Sequence, residues 1–367
     1  MTANGKSRFG DDYPEHYVEI DGTEYLNYED EPPASSLLEP PETTLSNKLK
    51  GTYRGRFMAG KESEYLATLE AYTEIYNGES NNHTQALMSC RTYASLKRDA
   101  ASGDVKVFGD SCRDRWCPMC CSQKAAFAKD QARNYIETLK DPRFLTLTLR
   151  NNESSLKSQV EFLQQSFSKL RTRSFWKKHV TGGIWFLECK RGKNSELWHP
   201  HLHILLDGDY LNQGELSRLW EQVTFGSPIL YITSISDFDH AAFYVSKYCS
   251  KPAVLQNKPL EDRMEIIESL FRKRLCGTFG SAKCVTLTPP KVEDDCEWDY
   301  IDNFDNIAKR AETEPAARAI MVAFNNYEPI SAELFEEYTG HPAGFISIMS
   351  PPKKVERQLY LDFYSSG

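Results

Sequence analysis

The chain has 367 residues, 26% of them charged and 40% hydrophobic, which is the composition of a globular protein of one to three domains. It has no run of about 18 apolar residues, which argues against a transmembrane helix and a membrane partner. Its first residues lack the apolar segment of a secretion signal. Because ten cysteines occur without such a signal, we expect a cytoplasmic protein whose clustered cysteines bind metal instead of forming disulfides.

The net charge of −8 hides an uneven distribution along the chain. It is −9 over residues 1–80, +7 over residues 81–255 and −6 over residues 256–367. A basic middle region can bind a phosphate backbone by displacing its counterions. The alternative is a basic surface that is only solvated.

Four regions follow from the order of these patterns. Residues 1–60 form an acidic segment rich in Pro and Ser, which predicts flexibility. Residues 61–130 contain a predicted helix from Glu62 to Tyr76 and then a cysteine-rich segment. Residues 140–255 are the most regular part, and residues 256–367 form a helical and acidic region of unassigned role. Within this last region, the acidic run at 292–305 predicts a linker or a solvated loop.

The regular middle region predicts an antiparallel sheet with helices. The predicted elements, in chain order, are a strand at 144–150, a helix at about 154–178, strands at 183–190 and 200–206, a helix at 212–223, a strand at 229–235 and a helix after Ser236. The order β-α-β-β-α-β is that of a split βαβ, ferredoxin-like sheet. We therefore expect an α+β fold with helices on one face of the sheet and the other face open.

Two histidines on one predicted strand suggest a metal site. His201 and His203 are two residues apart, so they point to the same face while Leu202 points to the other. The preceding strand carries Glu188, which could be a third ligand for Mg²⁺ or Mn²⁺. His199 shares this face but precedes a proline, so it ranks lower as a ligand. Alternatively, these are half-exposed strand histidines without a metal.

Four polar residues near the end of the middle region share a predicted helical face. Tyr244, Lys247, Tyr248 and Lys251 follow the spacing i, i+3, i+4, i+7. Nearby lysines can lower a phenol pKa or neutralise a phosphate, and a tyrosinate beside a polarised phosphodiester is a nucleophile. Alternatively, the tyrosines pack as ordinary amphipathic side chains.

The cysteine-rich segment predicts a structural zinc site. Cys117 and Cys120 form a Cys-x2-Cys pair, and Cys112 and Cys90 complete a set of four thiolates. Cys121 is a spare that could replace Cys120. Ordinary buried thiols are the alternative.

These motifs together resemble the HUH endonuclease superfamily, in particular the rolling-circle replication initiators of plasmids and phages. The resemblance covers about residues 85–255 and rests on CRDRWCPMC, FLTLT, HPHLHILL and YVSKYCSK in that order. It implies an enzyme that nicks one strand of an origin, presented as a hairpin or a single strand, and leaves a 5′-phosphotyrosine on Tyr248. It also implies a host helicase and a polymerase as partners, with Lys247 and Lys251 steadying the phosphate or the phenolates.

One departure from the family pattern concerns how the reaction ends. Many plasmid initiators have an acidic residue four positions before the nucleophilic tyrosine, where this chain has Tyr244. Paired tyrosines resemble the two-tyrosine phage initiators and some rolling-circle transposases, which implies that Tyr244 is a second nucleophile.

The alternatives to a replication initiator are a transposase with the same chemistry, a non-catalytic zinc protein that binds DNA, and a zinc protein that binds RNA on a ferredoxin-like sheet.

Overall fold

Helices and mainly antiparallel strands make up the described part of the chain. The computed structural model describes residues 52–192, 196–239, 241–242, 245, 254–288, 297–326, 328, 330–344 and 346–347. Of the segment predicted to be flexible at 1–60, residues 1–51 lie outside these residues, whereas residues 53–58 form a helix in which Tyr53 and Met58 are buried.

Within the described residues, the helices and strands are numbered separately in chain order. The helices are α1 Tyr53–Met58, α2 Glu62–Ile75, α3 Asn82–Ser89, α4 Pro118–Ile136, α5 Leu156–Arg171, α6 Ser174–His179, α7 Gln213–Thr224, α8 Leu260–Ser269, α9 Phe304–Arg310, α10 Pro315–Asn326 and α11 Ala332–Thr339. The strands are β1 Ala94–Asp99, β2 Val105–Gly109, β3 Arg143–Thr148, β4 Val180–Arg191, β5 Trp198–Gly208, β6 Leu230–Ser234, β7 Cys276–Gly280, β8 Trp298–Asn303 and β9 Ile346–Ser347. None of these helices is long and apolar enough to cross a membrane.

The described residues form two compact units. The central unit comprises residues 121–288, and the flanking unit comprises residues 52–120 together with 297–347. Residues 256–288 thus belong to the central unit, whereas residues 297–347 belong to the same unit as the cysteine-rich segment. The regions expected from sequence divide the chain differently, because long-range strand pairing does not show in local composition.

The sheet of the central unit has five antiparallel strands in the order β6-β3-β5-β4-β7. Its first four strands and their connecting helices follow the β-α-β-β-α-β order that the sequence predicts, with β7 added beside β4. The α+β class and the antiparallel sheet are therefore confirmed.

One face of this sheet packs against α5 and α7. Helix α5 buries Leu156, Val160, Leu163 and Leu170, which recur at helical spacing, and it contacts both α7 and β5. Asn212 caps α7 by accepting a hydrogen bond from the backbone N–H of Glu215.

The long helix predicted at 154–178 is two helices, α5 and α6. Arg173 between them has an extended backbone, with φ −68° and ψ 145°. The break allows buried Trp176 to pack edge-to-face on Phe167, with the ring centroids 5.8 Å apart. The periodicity of the sequence continues through this break, so it did not reveal the turn at Arg173.

The second face of the central sheet is partly covered, which corrects the expectation of an open face. Ile184, Phe186 and Leu205 on this face cluster with Ala132 and Ile136 of α4, and the cluster is completed by Tyr135, Ile235, Ala241, Ala242, Val245 and Ala282. An apolar patch of this size requires cover, because burial of apolar surface is the main favourable contribution to folding.

The sheet of the flanking unit has the order β8-β1-β2-β9, with β9 parallel to β2. One of its faces packs on α9, α10 and α11 through a core that includes Leu96, Val105, Phe304 and Phe335. The linker expected at 292–305 is therefore wrong for residues 298–305, which form β8 and the start of α9. Ile301 and Phe304 pack on the core, so the acidic residues around them do not prevent folding.

Candidate functional site

The two histidines of the predicted metal site lie on β5 and face the same neighbours. Glu188 on β4 is directly opposite His201, and Thr146 on β3 is directly opposite His203. Since directly opposed residues project to the same side of a sheet, these four side chains share one face.

Short distances connect His203 to both neighbouring strands. Its Nε2 lies 2.9 Å from Oε2 of Glu188, and its Nδ1 lies 3.1 Å from Oγ1 of Thr146. Nδ1 of His201 lies 3.8 Å from the same Oε2 of Glu188. The structure therefore brings together the three residues that the sequence singles out, His201, His203 and Glu188.

Burial controls the electrostatics of this centre. The side chains of His201 and His203 are 1% and 0% exposed, and that of Glu188 is 11% exposed. Burial holds the pKa of His201 well below its usual value. Burial by itself raises the pKa of Glu188, but the hydrogen bond with His203 and the charge of Lys190 outweigh it, so the pKa of this carboxyl lies below its usual range.

These groups have the chemistry of a divalent metal centre. A neutral imidazole and an ionised carboxylate are the ligands that two-His, one-carboxylate sites use. Among the described residues, Nδ1 of His201 is a buried atom without a hydrogen-bond partner. A buried polar atom without a hydrogen-bond partner is uncommon, and a bound cation would provide one. The donor types present are therefore compatible with a divalent cation.

His199 lies on the same face but has a different set of contacts. Its ring packs edge-to-face on that of His201, with the centroids 4.5 Å apart. Its Nε2 lies 3.3 Å from the carbonyl oxygen of Leu149, just after β3, and burial lowers its pKa to about 4. This hydrogen bond connects His199 to the segment that follows β3 and holds the His199 ring beside His201.

The predicted tyrosine face lies outside the described residues. None of its four members is among them: Tyr244, Lys247, Tyr248 and Lys251. Ala241, Ala242 and Val245 beside them are helical and buried, and they belong to the cluster that covers the histidine-bearing face.

A polar cluster anchors the end of β5 next to His199. The Arg191 guanidinium lies 3.9 Å from the centroid of the Trp198 ring and bonds Asp262 of α8. The indole N–H of Trp198 donates to Glu265 at 2.7 Å, and Glu265 also accepts the backbone N–H of Leu156 at 3.1 Å. The strand that carries the histidines is thus held against two helices.

The four cysteines expected to bind zinc meet in the flanking unit. The Sγ atoms of Cys90, Cys112, Cys117 and Cys120 all lie within 4.8 Å of one another. Three of the pairs are 3.5–3.7 Å apart. A tetrahedral zinc with Zn–S bonds of about 2.3 Å requires sulfur atoms roughly 3.8 Å apart. The group could therefore hold a metal such as zinc, and Cys120, not Cys121, completes it.

Asp114 supports the loop between Cys112 and Cys117. Its carboxylate accepts the backbone N–H of Trp116 at 2.7 Å and the hydroxyl of Tyr72 at 2.9 Å. Nδ1 of His83 lies 3.0 Å from the same carboxylate. Helices α2 and α3 thus hold the cysteine loop in place.

Sequence reasoning missed Thr146 and Asp114 as supporting residues. A signal for Thr146 exists, because the alternation in FLTLT places Thr146 on the face of β3 that adjoins the histidines. The contacts of Asp114 with the side chains of His83 and Tyr72 had no comparable local signal, because these residues are 31 and 42 positions away in the chain.

The fold and these two centres define a class: an α+β protein with a buried His-His-Glu centre on an antiparallel sheet and a separate four-cysteine group. The protein family described as "Replication protein" matches residues 106–329, more than half of the chain. The chain therefore belongs to the replication protein family.

Curated relatives agree with this assignment. A "Protein rep" of a Bacillus species is 30% identical over 239 residues, which are 54% of this chain and 78% of that protein. A "Protein rep" of Streptococcus pneumoniae is 29% identical over 195 residues, 47% of this chain and 61% of that protein. One from Staphylococcus aureus is 28% identical over 189 residues, 46% of this chain and 82% of that protein. No solved structure matches the chain.

Proposed function

We propose that this protein initiates rolling-circle replication by nicking and rejoining one DNA strand at an origin. The observation that carries the proposal is that Oε2 of Glu188 lies 3.8 Å from Nδ1 of His201 and 2.9 Å from Nε2 of His203, on one face of the sheet. Membership in the replication protein family supports DNA as the substrate.

His201, His203 and Glu188 would hold the ion, Mg²⁺ or Mn²⁺. When bound, such an ion polarises the scissile phosphate and orients it. Thr146 would keep Nδ1 of His203 occupied, so that Nε2 of this ring is directed toward the ion.

Tyr248 is the proposed nucleophile. Its phenol oxygen forms a bond to phosphorus while the bond from phosphorus to the 3′ oxygen breaks. The phenol proton leaves to solvent or a nearby base, and the 3′ oxygen takes up a proton and becomes the free end that a polymerase extends. Because the phosphodiester is exchanged and not hydrolysed, the strand can be resealed without ATP.

Tyr244 and the two lysines have supporting roles in this proposal. Tyr244 would act as the second nucleophile that ends the reaction, and Lys247 and Lys251 would steady the phosphate or the phenolates. The buried residues Ala241, Ala242 and Val245 support this arrangement, because they pack on the histidine-bearing face next to Tyr244 in the chain. A host helicase and a polymerase complete the proposed cytoplasmic machinery, and zinc bound by the four cysteines stabilises the flanking unit.

The proposal is tested with full-length protein, Mn²⁺ and a single-stranded oligonucleotide that carries the origin of its own replicon. We expect a covalent protein–DNA band on a denaturing gel. A label on the 3′ end of the oligonucleotide should move to the protein, while a label on the 5′ end should appear in a shorter free fragment. Binding without any covalent band would instead indicate a non-catalytic DNA-binding protein and would refute the proposal.

A further inference from the structure

The flanking unit carries a second surface with the features of a binding site. Among the described residues, its sheet packs on helices through the face that includes Leu96, Val105 and Ile301. Because side chains alternate along strands, Lys97, Lys106 and Phe108 project from the opposite face. On β8 the same alternation places Trp298 and Tyr300 on that opposite face, beside Asp99 and Lys97.

Two lysines and three aromatic rings form this surface, which we call the aromatic face: Lys97, Lys106, Phe108, Trp298 and Tyr300. The Phe108 and Trp298 rings pack edge-to-face, with the centroids 5.1 Å apart. Nζ of Lys97 lies 5.0 Å from the centroid of Phe108, and Nζ of Lys106 lies 4.6 Å from that of Trp298. Tyr300 is 52% exposed, so an aromatic ring is available to a ligand.

This combination matches the chemistry of single-stranded nucleic acid. Aromatic rings stack on bases of any sequence, and lysines beside them neutralise the phosphates between those bases. The nearby carboxylate of Asp99 is engaged in its own turn, where it accepts hydrogen bonds from Ala101 N and Ser102 Oγ at 3.1 and 2.8 Å. Alternation along β8 directs Asp299 away from Trp298 and Tyr300. Lys97 and Lys106 therefore place two ammonium groups beside the rings of this face.

We propose that the aromatic face binds single-stranded DNA without sequence preference, separately from the nicking centre. The choice of DNA over RNA rests on the proposed function, because nicking at an origin releases a single strand. The rings and lysines themselves are observed independently of that function.

Binding to fluorescently labelled oligo(dT) tests the proposal, measured by anisotropy with full-length protein and no added divalent metal. Trp298→Ala and Tyr300→Ala should each weaken binding about tenfold, the effect of losing one stacked base. Phe225→Ala is the matched control, because Phe225 is 81% exposed and lies 5.6 Å from Nζ of Lys169, but belongs to the central unit. Equal affinity of Tyr300→Ala and the control would overturn the proposal.

The salt dependence tests the two lysines. In single-strand binding each phosphate contact contributes roughly 0.7 to the slope of log K against log salt concentration, so the double variant Lys97→Ala, Lys106→Ala should reduce this slope by about 1.4. An unchanged slope would mean that these lysines contact no phosphate, contrary to the proposal.

Photocrosslinking of the unaltered chain removes any dependence on how variants fold. Oligo(dT) that carries 5-bromodeoxyuridine should crosslink to peptides containing Phe108, Trp298 or Tyr300. Crosslinks confined to peptides of residues 121–288 would refute the aromatic face. Failure of the proposed nicking is distinguishable, because it would remove the covalent origin adduct while oligo(dT) binding and these crosslinks persist.

Discussion

At the residue scale, the histidine centre depends on contacts between three neighbouring strands. His203 contacts Glu188 on one side and Thr146 on the other, at 2.9 and 3.1 Å. The roles of ligand and supporting residue can therefore be separated by substitution.

Replacing either histidine should abolish nicking and preserve DNA binding. In His201→Ala or His203→Ala one ligand of the proposed ion would be lost, whereas we expect phosphate contacts made elsewhere by the basic middle region to supply most of the affinity. Covalent-adduct gels and mobility shifts measure the two properties. His341→Ala, at an exposed position in the flanking unit, serves as the control. Undiminished nicking by either variant would contradict the assignment.

The hydroxyl of Thr146 should strengthen metal binding. Thr146→Val preserves the shape of the side chain but removes the partner of Nδ1 of His203, and loss of such a support typically weakens metal affinity by about 10- to 100-fold. Titration with Mn²⁺ under nicking conditions measures this affinity. Thr148→Val is a matched control, because the hydroxyl of Thr148 donates to the carbonyl of Ile229 and not to a histidine. Similar Mn²⁺ requirements in both variants would speak against the role.

At the element scale, two groups of contacts among the described residues connect elements of the flanking unit. The four cysteines connect the end of α3, the loop after β2 and the start of α4. Asp302 at the end of β8 accepts hydrogen bonds from Tyr338 of α11 at 2.5 Å and from Arg310 of α9 at 3.3 Å.

Purified protein should contain about one zinc ion per chain, bound by the four cysteines. Cys117→Ser should lose the metal and destabilise the flanking unit, because structural zinc contributes directly to the free energy of folding. Metal analysis and thermal unfolding measure both effects. Cys284→Ser, at an exposed cysteine outside the group, should retain zinc. Well-folded protein without zinc would disprove this expectation.

Asp302→Asn should destabilise the flanking unit in a pH-dependent way. Losing the charged acceptor of Tyr338 and Arg310 costs roughly 1–3 kcal/mol of unfolding free energy at neutral pH. Burial by itself raises the pKa of Asp302, but its hydrogen bonds outweigh this effect and the pKa lies below the usual value. The folded state therefore favours the carboxylate, and its stabilisation is complete above the unfolded pKa of about 4 and disappears as the pH falls through the folded pKa.

Urea unfolding of the parent and of Asp302→Asn across this pH range measures the difference. We expect the difference in unfolding free energy between the two proteins to be constant near neutral pH and to disappear under acidic conditions. Asp299→Asn, at an exposed position on the same strand, provides the control. A difference in unfolding free energy that increases as the pH falls would contradict a lowered pKa of Asp302.

At the scale of the whole molecule, the proposed nicking and rejoining would require the histidine-bearing face and the tyrosine segment to act together. The described residues Ala241, Ala242 and Val245 pack on that face, so the chain reaches it just before Tyr248. The division of work between the two tyrosines is therefore testable by single substitutions.

Tyr248→Phe should eliminate the first nick, since it removes the attacking oxygen. Tyr244→Phe should still nick and form an adduct but should fail to release closed circles, because the second nucleophile is absent. Adduct mapping by peptide mass spectrometry and assays of circle closure distinguish the two steps. Normal closure by Tyr244→Phe, with the adduct found on Tyr248 alone, would exclude a two-tyrosine mechanism.

The sequence by itself determined the features that depend on short periodicities. Alternation with period two placed His201 and His203 on one face, and the Cys-x2-Cys pair indicated the metal group, because both patterns are set by local backbone geometry. The order of strands and helices in the central unit followed from the same periodicities.

Only the tertiary structure decided which distant residues meet. Strand register placed Glu188 opposite His201, and a shift by one residue would have moved it to the other face. Part of an acidic run forms a strand because β8 pairs with β1. Helix α4 covers part of a face expected to be open, because it packs on the apolar residues beside the histidines. Such contacts depend on the packing of the complete chain, which balances apolar burial against the loss of conformational entropy, and no local window of sequence contains that balance.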